Sequence, residues 1–170
     1  RTDHSDTTEA AAPADGRHDE PAITWSLRGR WIILAMVPSG LLISVTTHIT
    51  ADIGSAPLLW VIPLALFLLT FVFVFARKER LPHRWMLWIQ PPLLVLAVLA
   101  SFLTIPNTEW WELGLALVAF FVTAMVCHGE LALRKPEPRR LTTYYLAISV
   151  GGALGGLFVG VVCPVLFSHF

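Results

Sequence analysis

Two histidine–carboxylate pairs hold most of the chemistry this sequence offers. In VTTHITADIGSAPLLWVIPL, His48 and Asp52 stand four residues apart between two apolar runs. In CHGELALRKP, His128 and Glu130 stand two apart at the end of another. Ionisable groups at membrane depth are costly to bury and are candidate substrate or proton sites by default. On that chemistry His48/Asp52 and His128/Glu130 are an outer and an inner polar gate, with the carboxylates as contacts for a cationic solute. Plainer roles compete at each position. Asp52 suits an external turn just ahead of a helix, whose positive end it complements. His48 suits an interfacial position, and Glu130 has Arg134 at i+4, the favourable acid-first order for a helix-end ion pair.

The remaining reactive side chains assemble nothing. Cys127 and Cys163 are isolated in apolar runs and read as small hydrophobes at helix interfaces; two lone cysteines make neither a disulfide framework nor a zinc site. His4 and His18 lie among acids in a solvated tail. No catalytic residue, metal site or cofactor is expected. The 12 Lys and Arg balance the 12 Asp and Glu, and there is no basic face for nucleic acid.

The elements that must position these residues follow from composition. Only 14% of the 170 residues are charged and 55% are hydrophobic, against about 25% charged in soluble domains. Residues 1–24 are acidic and proline-containing, poor in apolar residues, and predict a disordered linker; the chain, lacking an initiator methionine and a signal peptide, reads as cut from a longer protein. A transmembrane domain over 25–170 follows. Its five apolar runs, about 31–50, 56–76, 85–105, 113–133 and 142–167, each approach the roughly 20 residues that cross a ~30 Å hydrocarbon core. They lack the alternation of a membrane barrel, and helices apolar on every face exclude a soluble core. The expected fold is an all-α polytopic transmembrane bundle of five helices.

Charge placement orders those helices. All ten basic residues beyond Arg17 fall in Arg28–Arg30, Arg77–Arg84 and Arg134–Arg140. Alternate loops are basic and the others bare, so the linker and basic loops are expected in the cytoplasm. His48 then lies about 27 Å beyond Arg30, near the outer surface. Ser55 and Pro57 look like the cap and first turn of the second helix. His128 and Glu130 fall at the inner end, more than about 20 Å from His48, which excludes one metal site built from all four.

Helix contacts leave their own mark. SVGGALGGLFVG contains Gly151, Gly152, Gly155, Gly156 and Gly160 as overlapping GxxxG pairs, which permit close backbone approach by another helix. As a phosphate loop it fails, since no strand precedes it and no lysine is near. Pro38, Pro63, Pro91 and Pro92 lie inside apolar runs and should kink them.

VPSGLLISVTTHITADIGSAPLLWVIPLALFLLTFVFVFAR, CHGELALRKPEPRRLTTYYLAISVGGALGG and PVLF together resemble the membrane region of bacterial spermidine-synthase-like fused proteins. The likeness covers about Trp31 to Phe167. In that family a polytopic, faintly major-facilitator-like region precedes a polyamine aminopropyltransferase-like domain. The matching positions include Thr46, Thr47, Asp52, Pro57, Trp60, Pro63, His128, Gly129, Glu130 and the glycines from Gly151 to Gly156. The resemblance implies a bacterial inner-membrane module with further helices and a soluble transferase-like domain as partners, beside the lipid bilayer. It carries over no catalytic residue. Anchoring that domain, transport of a polyamine or other small solute, and a purely structural scaffold are the three expected roles.

Overall fold

A computed structural model describes residues 24–52, 58–76, 83–103 and 109–167. Within them the chain is helical, and no strand occurs among the described residues. The helices are α1 (Trp25–Asp52), α2 (Val61–Ala76), α3 (His83–Phe102), α4 (Glu109–Leu133) and α5 (Leu141–Leu157). A π-helical turn (Phe158–Val162) joins α5 without interruption to α6 (Cys163–Phe167). Four of the resulting rods are long and apolar enough to cross a membrane. The chain is a membrane protein with an all-α polytopic fold.

The helices reach past the apolar runs in several places. α1 has 28 residues, about 42 Å of rise, so Arg28 and Arg30 lie inside its first two turns instead of ahead of it. The Thr24 carbonyl starts it, accepting from the amides of Leu27 and Arg28. At its other end Ala51 and Asp52 are still helical, so Asp52 closes the helix instead of occupying the external turn. α4 begins four residues before Leu113. The reason is common to both: a backbone hydrogen-bond ladder continues where polar side chains reach water, beyond the apolar stretch that signals the span.

α2 departs in the opposite sense. It begins at Val61, not near Ala56, and its 16 residues rise only about 24 Å. Leu58–Trp60 form a turn closed by Val61 N–H to Leu58 O and Ile62 N–H to Leu59 O, each 3.2 Å. Pro63 therefore falls in the first helical turn, where its missing N–H leaves nothing unpaired, and no kink is required of it. Pro38, Pro91 and Pro92 do lie inside helices. The expected linker over 1–24, apart from Thr24, and the expected cap at Ser55–Pro57 lie outside the described residues.

α4 is the central rod. It packs against α1, α2 and α3, while α5 packs along α1. Six successive α4 residues, Thr123 to His128, are all buried, as an apolar helix enclosed on every side requires. Two buried clusters show how the rods run. Trp31 and Ala35 of α1 meet Leu131 of α4 and Tyr144 and Ala147 of α5. Val45 and Ile49 of α1 meet Leu113, Phe120 and Ala124 of α4. The start of α1 thus lies beside the end of α4, and neighbours in sequence run antiparallel. Arg28, Arg30 and the α4–α5 connection share one end of the bundle; Asp52, Leu113 and Ser101 share the other.

The Trp31 and Tyr144 rings meet edge to face at 5.2 Å. Tyr144 O–H also donates to the Leu131 carbonyl at 2.8 Å, tying the start of α5 to the last turn of α4. The α1–α5 seam is closer still. A Cβ on Gly151 would collide with the Ile32 carbonyl and stand 2.9 Å from Ala35 Cβ. One on Gly155 would collide with the Met36 carbonyl and stand 3.0 Å from the Gly40 amide nitrogen. Gly152 and Gly156 are less pressed, each 3.3 Å from a side-chain tip, Ser39 Oγ and Ile43 Cδ1. Gly160 lies in the π turn, with nothing within 4 Å of an added Cβ. That turn is closed by Cys163 N–H to Phe158 O and precedes Pro164, whose ring would press on the Gly160 carbonyl in a regular α-helix.

Candidate functional site

α1 and α3 both lean on α4, while among the described residues no Cα of one comes within 8 Å of a Cα of the other. The gap between them is an open cleft of about 310 Å³. Its walls are mostly apolar, with Val45 on α1, Leu94 and Val98 on α3, and Phe120 on α4. Three polar side chains face it: Ser44 and His48 from α1 and Ser101 from α3. Helical periodicity explains the grouping, because Ser44 and His48 are i and i+4 on one face. Ser101 Oγ also donates to the Ala97 carbonyl at 3.1 Å. The cleft lies in the half of the bundle toward Asp52 and Glu112, where α1, α3 and α4 carry no Lys or Arg.

His48 and Asp52 therefore stay together, one helical turn apart at the end of α1. His48 is half-buried at the cleft wall and has a further interaction within the chain. His128 and Glu130 part company. Two residues on a helix are about 200° apart in azimuth, and the pair faces different partners. His128 is 1% exposed, with Nδ1 2.7 Å from Thr70 Oγ1 of α2. The Phe71 ring lies 3.9 Å from its ring centroid and the Phe67 ring 5.2 Å. Thr70 Oγ1 in turn donates to the Phe67 carbonyl at 2.6 Å. The Thr70 hydroxyl thus touches both the Phe67 carbonyl of its own helix and the His128 ring of α4. Glu130 instead pairs with Arg134 on the helix surface.

The two pairs sit at different levels of the bundle. Ala116 of α4 lines the His48 cleft, and His128 lies twelve residues further on, about 18 Å along the axis. No group of three or more metal-ligating side chains occurs among the described residues. Cys127 is buried in α4 and Cys163 partly buried, both as free thiols. Sequence reasoning passed over Thr70, Ser44 and Ser101. A single hydroxyl in FLLTFVFVF was a visible signal for Thr70; which helix it would face was not.

Comparison with protein-family models, with curated proteins and with solved structures finds nothing that matches this chain.

Proposed function

We propose that this chain is the integral-membrane module of a spermidine-synthase-like protein of the bacterial inner membrane, and that it anchors an aminopropyltransferase-like domain carried elsewhere in that protein. One observation carries the reading beyond the sequence resemblance. Three of the matching residues are spent on packing between helices: His128 on Thr70, and Gly151 and Gly155 on the backbone of α1. A module whose characteristic side chains lock helices together suits a rigid anchor. The two arginine-bearing regions at one end of the bundle agree with a cytoplasmic placement of the linker and of the domain it would serve.

The test uses the full-length protein in detergent. Aminopropyl transfer by that protein is expected, and release of the transferase-like domain from all of the membrane helices should leave it soluble and active. Absence of transfer from the full-length protein, or transfer by the 170-residue segment alone, would contradict the reading.

The cleft favours a second role, passage of a polyamine or another small solute. Uptake of labelled solute into liposomes holding the full-length protein should then fall on Asp52→Asn. Unchanged uptake would reject the outer polar residues as a gate.

A further inference from the structure

We propose that the arginine-bearing end of the bundle binds anionic phospholipid, its cationic side chains holding the phosphodiester head group while exposed faces of α1 and α5 meet the acyl chains. Only the membrane fold is required, whatever domain the bundle serves. Two stretches far apart in sequence meet at this end. Trp31 packs with Leu131 and Tyr144 in one buried cluster, and Leu27 and Leu141 pack against it. The start of α1 is thereby held beside the α4–α5 connection.

Charge selects an anion. Trp25–Trp31 and Glu130–Leu141 bring six cations, Arg28, Arg30, Arg134, Lys135, Arg139 and Arg140, against two carboxylates, Glu130 and Glu137. Arg134 is paired with Glu130, and Arg140 and Glu137 also interact within the chain. Arg30, Lys135 and Arg139 are exposed and have neither ion pair nor hydrogen bond among the described residues. Arg28 sits over the Trp25 ring, 4.9 Å from its centroid, and its Nε is buried with no hydrogen-bond partner among those residues. These four side chains offer donors only, and a phosphodiester offers only acceptors.

What lies beneath the charges names the source of the phosphate. Arg30 shares an exposed stripe of α1 with Ile33 and Val37, at i+3 and i+7. α5 exposes Tyr145, Leu146 and Val150 in the turns that follow Arg139. Trp25 is 83% exposed, as an indole lying among lipid head groups is. A charged head above a run of exposed hydrocarbon is the outline of a phospholipid. A soluble phosphate or an acidic peptide would use the cations and leave the apolar stripes unmatched. Basic residues beside a membrane helix each raise its affinity for an anionic leaflet severalfold.

The experiment is native mass spectrometry of the full-length protein in neutral detergent, titrated with phosphatidylglycerol and phosphatidylcholine of identical chains. Phosphatidylglycerol should bind about thirtyfold tighter, and Arg30→Gln/Lys135→Gln/Arg139→Gln should bring the two lipids within about twofold. Arg30→Lys/Arg139→Lys, which keeps the charges, should retain the preference. Raising ammonium acetate from about 0.1 M to about 1 M, which shortens the screening length from about 10 Å to about 3 Å, should weaken it. Equal binding of the two lipids would overturn the proposal, as would a preference that survives loss of the three charges. Displacement of the lipid by equimolar glycerophosphoglycerol would overturn it too, since a soluble phosphodiester would then suffice. Replacing the six acidic residues of 1–23 by their amides should leave lipid binding unchanged. A rise of about threefold or more would assign the surface to that segment instead. If the triple variant fails to fold, Lys135→Gln in the exposed connection should still lower the preference about threefold, and no change would reject the site.

Discussion

Alanine substitution along the glycine stripe gives a graded test of the α1–α5 seam. At Gly155 the added methyl meets backbone, the Met36 carbonyl and the Gly40 nitrogen at 3.0 Å. Backbone atoms cannot rotate aside, so the helices must separate, and overpacking of this kind costs about 1–3 kcal/mol. Helix propensity returns roughly 1 kcal/mol of that, leaving a net destabilisation of up to about 2 kcal/mol. Gly151→Ala should behave alike, since Ile32 carbonyl and Ala35 Cβ stand in the way. At Gly160 nothing lies within 4 Å, so the propensity term acts alone and stabilises by up to about 1 kcal/mol. Gly152→Ala meets only Ser39 Oγ at 3.3 Å, a side chain that turns away, and should be near neutral. Thermal unfolding of the full-length protein in detergent, followed by tryptophan fluorescence, reads the series. At roughly 2–4 °C per kcal/mol, Gly155→Ala and Gly160→Ala should melt about 2–12 °C apart. Equal melting of the two would refute a seam in which backbone meets backbone at Gly155.

Other buried contacts make sharper single predictions. Thr70→Val removes the hydroxyl facing His128 and should destabilise by about 0.6–1.7 kcal/mol, the range for interhelical hydrogen bonds in membranes; a cycle with His128→Leu should show coupling, and strict additivity would deny the contact. Thr123 is 2% exposed and its hydroxyl has no hydrogen-bond partner, so Thr123→Val should leave stability unchanged or raise it by about 1 kcal/mol; a loss of that size would reveal a hidden acceptor. Tyr144→Phe deletes the bond to Leu131 and should lower stability by about 1 kcal/mol in the same melting assay. Glu130→Gln takes the charge from the part-buried i, i+4 pair with Arg134, and loss of that pair should shift the melting midpoint by less than about 2 °C.

Much of the architecture was legible because lipid imposes length and charge placement. Five apolar runs became five helical rods, and the basic clusters at Arg28–Arg30 and Arg134–Arg140 marked one end. Helix ends were less legible, since Trp25–Arg30 and Ala51–Asp52 continue the backbone ladder into sequence that no apolar criterion detects. Leu58–Trp60 failed the other way, being apolar residues in a turn. The glycine stripe announced a seam, but its partner face of Ala35, Ser39 and Gly40 became evident only when α1 was seen beside α5. The same gap hid Thr70 from His128 and Ser101 from His48. Pairs on one helix follow from spacing, whereas pairs between helices depend on which rods touch.

Everything rests on antiparallel rods whose arginine-bearing ends face one side of a bilayer. The direct measurement is labelling by a membrane-impermeant maleimide of single cysteines in full-length protein carrying Cys127→Ala and Cys163→Ala, with any other native cysteine also replaced. Arg30→Cys and Arg139→Cys should react from the same face, and Trp60→Cys and Trp111→Cys from the other. Reaction of Arg30→Cys and Arg139→Cys from opposite faces would contradict the account.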